Sequence, residues 1–198
     1  MAPTSLRFLD KAEWHGEPPS WGFSGGVLDV TTGDRTDFWQ DTLYGFHRDD
    51  GHFFGAEVEG DFTAVVTFEG EYEVLYDQAG LMMRLDARNW LKTGIEFSDD
   101  VTNFSVVITR DGRSDWSVVA VPRAPGAQKV RLTRIGGAAI VHFLGAGGAW
   151  QLLRVGDFRA PPAVRLGPMA CSPQREGFRA RFLGFEVGPA MSKPLHGD

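Results

Sequence analysis

The sequence predicts an all-β protein built as a two-sheet antiparallel jelly-roll sandwich. Three observations lead there. Short runs of β-branched, aromatic and aliphatic residues recur between turn signals, and no long stretch places apolar residues at helical spacing. Aromatic residues make up 12% of the chain against 23% charged residues, the balance of a packed protein. At 198 residues the chain can bury a substantial core, and one sandwich domain over residues 1–198 is the expected organisation.

Strands are expected at Gly26 to Val30, Phe53 to Val58, Phe62 to Glu69, Tyr72 to Tyr76, Leu81 to Leu85, Trp90 to Phe97 and Phe104 to Arg110. Further strands follow at Trp116 to Val121, Val130 to Ile135, Ala139 to Leu144, Trp150 to Val155 and Phe178 to Val187. The plainest is the third, where Phe62, Ala64, Val66 and Phe68 alternate with Thr63, Val65, Thr67 and Glu69. That alternation buries one face, and so many strands need two layers. Gly136-Gly137 and the glycines at 145, 147 and 148 flank apolar runs and read as hairpin turns. Neither has the Gly-Lys-Ser/Thr ending of a phosphate loop or the strand-to-helix setting of a dinucleotide fold, so no cofactor is expected.

Two hairpins can be given a register. Asp111-Gly112 between β-rich runs signals a two-residue type I′ turn, whose positive φ angles suit glycine. It sets Arg110 opposite Arg113, Thr109 opposite Ser114 and Val107 opposite Trp116. One side then carries Phe104, Val106, Ile108 and Val119, three of which are strongly core-forming, so Trp116 is expected on the opposite, more polar side with Val107, Thr109, Ser114 and Val118. In the second hairpin, a three-residue loop of Ala87, Arg88 and a left-handed Asn89 puts Leu85 opposite Leu91 and Leu81 opposite Ile95. Trp90, Lys92, Gly94 and Glu96 share the other face, with Arg84 opposite Lys92 and Gly80 opposite Glu96. Like charges in direct opposition are mildly destabilising unless an anion lies near, and Glu96 or an acidic ligand would answer that need.

Charge and cysteine usage narrow the partners. A formal net charge of -6 and the lack of any dense Lys/Arg cluster argue against nucleic acid. Cys171 is the sole cysteine, which rules out an intramolecular disulfide; Ala170 and Ser172 beside it offer no metal-ligand spacing, and a buried thiol is expected. The opening residues lack the apolar run of a signal peptide, and nothing later approaches a membrane span; the expected location is the cytoplasm, with no membrane partner.

Several blocks carry a resemblance. They are Tyr76-Asp77-Gln78-Ala79-Gly80-Leu81-Met82, Trp90-Leu91-Lys92-Thr93-Gly94-Ile95-Glu96, and Thr109-Arg110-Asp111-Gly112 running into Ser114-Asp115-Trp116-Ser117. In order and separation they resemble the central signature of the regulator-of-enolase family, a domain of unknown function in the concanavalin A-like lectin/glucanase superfamily. Trp14, Pro18-Pro19 and Trp21, the Thr36-Asp37-Phe38-Trp39 segment with Tyr44 and His47, and Gly167 to Pro173 extend the match over most of the chain. The resemblance implies a concanavalin A-like jelly roll with a concave sheet. It implies much less about activity, because that superfamily holds lectins, glycosidases, lyases and domains without an established ligand.

Candidate site residues follow from the inferred faces. Trp90 and Trp116 could stack on a sugar ring while Arg84, Lys92, Glu96 and Gln78 bind hydroxyls or a carboxylate. The bland alternatives are tryptophans that fill space and an ordinary solvated ion-pair network. The segment from Asp34 to His52, rich in polar and aromatic types, is expected as a loop whose Asp37, Trp39, Tyr44 and His47 rim the concave surface. His47, His52 and Asp49 match no established metal spacing, so no metal is assigned.

Three functional readings result. The first is a module that binds a carbohydrate or another small polar ligand on the concave face. The second is an intracellular regulatory or protein-interaction domain. The third is an enzyme acting on a sugar derivative with Glu96 as acid or base, which would need a second proton-transfer group such as Asp37, His47 or Asp77.

Overall fold

Period-two alternation becomes a pair of packed sheets in a computed structural model that describes residues 4–121 and 126–195. Among the described residues a 3-10 segment, Thr4–Lys11, precedes sixteen strands. In chain order these are β1 (Glu13–His15), β2 (Ser20–Ser24), β3 (Val27–Thr31), β4 (Phe38–Gln40), β5 (His47–Asp49), β6 (His52–Glu59), β7 (Phe62–Gly70) and β8 (Gln78–Asp86). There follow β9 (Asn89–Ser98), β10 (Val101–Arg110), β11 (Arg113–Val121), β12 (Gln128–Ile135), β13 (Ala138–Leu144), β14 (Trp150–Asp157), β15 (Ala163–Cys171) and β16 (Arg179–Pro189). The first sheet runs β1-β6-β15-β8-β9-β10-β11, the second β14-β13-β12-β7-β16-β3-β2, and β4–β5 form a separate hairpin. Neighbours pair antiparallel, as a jelly-roll sandwich requires. Among the described residues no helix is long and apolar enough to cross a membrane.

The sheets bury a common core. Phe62, Ala64, Val66 and Phe68 of β7 all point into it, as their alternation predicts. Phe104 of the first sheet stacks on Phe143 of the second at 4.5 Å, which ties the two layers together. Phe182 and Phe185 of β16 fill the same layer. The glycine-marked turns fall where expected, between β12 and β13 and between β13 and β14.

The Asp111-Gly112 hairpin has the expected register, including Arg110 opposite Arg113 and Val107 opposite Trp116, with both turn residues at positive φ (52° and 77°). The second hairpin differs by two residues. Asp86 pairs with Asn89 across Ala87-Arg88, Leu85 is bulged out and partly exposed, and Met83, not Leu85, faces Leu91. Asn89 is not left-handed; its amide instead donates to the Asp86 carboxylate. Arg84 therefore faces Trp90, and Gly80 faces Gly94. A slip of two preserves side-chain parity, so Leu81 to Arg84 and Trp90 to Phe97 keep their expected faces, while the bulged Leu85 leaves the core.

Two other expectations fail. Tyr72 to Tyr76 is not a strand: the buried Asp77 carboxylate accepts the backbone N–H groups of Glu73 and Val74, and these local bonds replace a ladder. The segment from Asp34 to His52 is not one loop, because it contains the β4–β5 hairpin. A strand unforeseen in sequence, β15, lies centrally between β6 and β8. Gly167 and Pro168 masked it, since proline in a central strand lacks a ladder donor. Here the β6 ladder skips those residues, passing from the Leu166–Ala56 pair to Met169–Phe53.

Candidate functional site

The outer face of the first sheet, turned away from the core, is organised in rows across its strands. One row reads Arg84, Trp90, Thr109, Ser114; the next reads Met82, Lys92, Val107, Trp116. A third reads Gly80, Gly94, Ser105, Val118, and a fourth Gln78, Glu96, Asn103, Ala120. Gly80 and Gly94 face each other so closely that a Cβ on Gly94 would collide with the Ala79 carbonyl oxygen. Bare backbone therefore separates Lys92 from Glu96.

The β4–β5 hairpin lies over part of this face. Phe38 is fully buried against Trp90, Met82, Val107, Phe53, Met169 and Cys171, a second small core outside the sandwich. Polar contacts also pin the hairpin. Asp37 accepts from Lys92 Nζ at 3.0 Å, Asp49 takes a bidentate pair from Arg84 at 2.8 Å, and the Gln40 N–H donates to Ser114 Oγ at 2.9 Å.

Beside the hairpin a cleft of ≈ 180 Å³ remains open. Its floor is Gln78, Lys92, Glu96 and Val107; Trp39, Tyr44 and Phe46 of the hairpin form one wall, with Asp37 at their foot. Trp116 stands at the β11 edge, 39% exposed, and Tyr76, Pro173 and Gln174 complete the rim. Trp39 meets Tyr44 edge-on and Tyr44 stacks on Phe46 at 5.3 Å, so the wall is a continuous aromatic surface.

Electrostatics divide the floor. Burial works against the charge on Lys92, but Asp37 overrides it and holds the ammonium above its ordinary pKa. Glu96 is pushed up by burial, against the opposing pull of Lys92 and of the hydroxyl of Ser105, which donates to it at 2.7 Å. The Trp116 indole N–H donates in turn to Ser105 Oγ at 3.0 Å, linking the edge aromatic to the floor carboxyl. Burial and a hydrogen bond with Tyr44 raise the Tyr76 phenol to about 12. The floor therefore offers one cation already matched by Asp37, an amide, and a carboxyl biased toward its protonated form.

Seven of the ten sequence-derived candidates meet here: Asp37, Trp39, Tyr44, Gln78, Lys92, Glu96 and Trp116. The other three do not line the cleft. Trp90 is wholly covered by Phe38 and its neighbours, so no ligand can stack on it. Arg84 is consumed by Asp49, and His47 points its Nδ1 at Gln40 Oε1, 2.8 Å away. Asp77, considered as a second acid, is sealed from solvent in an ion pair with Arg175. Phe46, Ser105 and Gln174 were missed. Phe46 lay within the segment already notable for its aromatics, whereas Gln174 reaches the rim only because β15 carries it there.

The family described as "Protein of unknown function (DUF1349)" matches residues 14–190. The chain is 38% identical over 188 residues to Regulation of enolase protein 1 of Saccharomyces cerevisiae, covering 95% of this chain and 94% of that protein. A crystal structure of a functionally unknown protein from Saccharomyces cerevisiae superposes with a TM-score of 0.87 at 38% identity, over 93% of this chain and 99% of that one. Bacteroides ovatus xyloglucan PUL GH43B superposes with a TM-score of 0.69 at 17% identity, over 85% of this chain and 34% of that one, a likeness of fold alone.

Proposed function

The chain belongs to the DUF1349 family of proteins of unknown function, and from that premise we propose that its cleft binds a small, neutral, polyhydroxylated ligand, a sugar ring being the best fit. One observation carries the reading: an exposed Trp116 and the aromatic wall of Trp39 and Tyr44 enclose a polar floor of Gln78, Lys92 and Glu96. Aromatic faces cover the C–H surface of a pyranose while such floor groups bind its hydroxyls. Neutrality follows from charge, because Lys92 is already paired with Asp37 and, among the described residues, no second cation lines the cleft to receive a carboxylate or phosphate. The occurrence of this fold in a protein described as xyloglucan PUL GH43B is consistent with a carbohydrate ligand.

The test is a thermal-shift screen of neutral and acidic sugars. Neutral sugars should raise the melting temperature, glucuronate should do so less than glucose, and the effect should vanish in folded Trp116→Ala. No response to any sugar would end the reading.

A second reading, a regulatory protein-interaction surface, is favoured by the hairpin tip and by the name of the yeast relative. Leu43 is 87% exposed beside the half-exposed Tyr44 and Phe46, an apolar group that a partner could cover. A Leu43→Asp variant that keeps sugar binding but loses a protein partner recovered with the parent chain would support it. The enzymatic reading has less behind it. Among the described residues, Asp37 is the other carboxylate lining the cleft with Glu96, and it is held on Lys92.

A further inference from the structure

We infer that the cleft is a dead end that admits a free or terminal ring and excludes the interior of a polysaccharide chain. The inference rests on the carbohydrate reading above and names the form in which the ligand is presented. An uncovered outer face from β6 to β11 would span five strand spacings, roughly 24 Å at ~4.8 Å each, room for several linked rings. The β4–β5 hairpin removes two of those five spacings, the stretch over β6 and β15. On β6 and β15 the outward side chains Phe53, Met169 and Cys171 are 0–2% exposed, sealed under Phe38. Among the described residues, the floor of the open cleft comes from β8 to β10 and its edge from β11.

The plug is held firmly. Asp37–Lys92 and Asp49–Arg84 are ion pairs with nearly buried cations, and Phe38 is surrounded by hydrophobic side chains on the sheet. Tyr76 and the Pro173–Gln174 turn stand at the rim. Access is left at the β11 edge, where Trp116 and Val118 are 39% and 41% exposed. Size agrees with this shape: ≈ 180 Å³ falls below the roughly 300–1,000 Å³ of pockets that enclose drug-sized ligands. One ring can enter past Trp116, and a chain cannot pass through.

The test is calorimetric titration of the full chain with three series, xylose to xylohexaose, glucose to cellohexaose and glucose to maltohexaose. For any series that binds, the affinity per mole of chain should stay within about fivefold from the monosaccharide to the hexasaccharide. An affinity that climbs beyond about fivefold with length would mean additional rings find subsites along a groove, and would overturn the dead end while leaving the carbohydrate reading intact. A failure of all three series to bind would overturn the carbohydrate reading, and this inference with it.

Discussion

Lys92 and Glu96 sit on the same face of β9, four residues apart, and respond to burial in opposite ways. Asp37 keeps the lysine charged, whereas burial biases the glutamate toward its neutral form. The consequence for stability has a definite sign. Glu96 has a folded-state pKa above its ordinary 4.5, so from about pH 4.5 upward the unfolded chain releases a proton that the folded protein retains. Its contribution is most favourable below that pH and is lost as pH rises toward the folded-state value. Glu96→Gln carries no such proton, and its stability relative to the parent should improve between about pH 4 and pH 7 in urea titrations. Parallel pH profiles for the two proteins would contradict this assignment. The positions of Lys92, Glu96 and Trp116 on one face were legible in the sequence, because parity along a strand follows from any register that is correct to within an even number of residues. Trp90 has the same parity and is nevertheless buried, since parity assigns a face and says nothing of what covers it.

At the scale of elements, the difference between the two hairpins is instructive. Asp111-Gly112 has a turn chemistry that admits one loop length, and its register could be read directly. Ala87-Arg88 has none, and leucine matching chose a pairing two residues out because it did not allow for the bulge at Leu85. The β4–β5 hairpin has too few residues to show a period, and its place depends on partners far away in the chain. Asp49 illustrates this. It neutralises Arg84, whose side chain is 9% exposed and whose direct cross-strand neighbour on β15 is Arg165. Asp49→Ala would leave that guanidinium buried and unpaired, and should cost about 3 kcal/mol in denaturant unfolding. Replacing both partners by apolar residues, Asp49→Leu with Arg84→Met, should cost less than the single change. A loss below about 0.5 kcal/mol for Asp49→Ala would show that the pair does not anchor the hairpin.

At the scale of the whole molecule, the sandwich depends on contacts between its layers. Phe143 of the second sheet stacks on Phe104 of the first and is 4% exposed. Phe143→Ala should cost roughly 3–5 kcal/mol. Far-UV circular dichroism and tryptophan fluorescence should shift their midpoints together, and separated transitions would mean that the sheets unfold independently. The sequence by itself determined the all-β class, most of the strands, the core-facing residues of β7 and β10, and the common face of Lys92, Glu96 and Trp116. These are consequences of local alternation and turn chemistry, which act over a few residues. Only the tertiary structure decided that β15 threads the middle of the first sheet, that Asp77 is sealed by Arg175 98 residues away, and that Phe38 plugs the outer face and buries Trp90. Those outcomes depend on contacts between segments distant in the chain, where packing and charge pairing select among arrangements that local sequence leaves equally open.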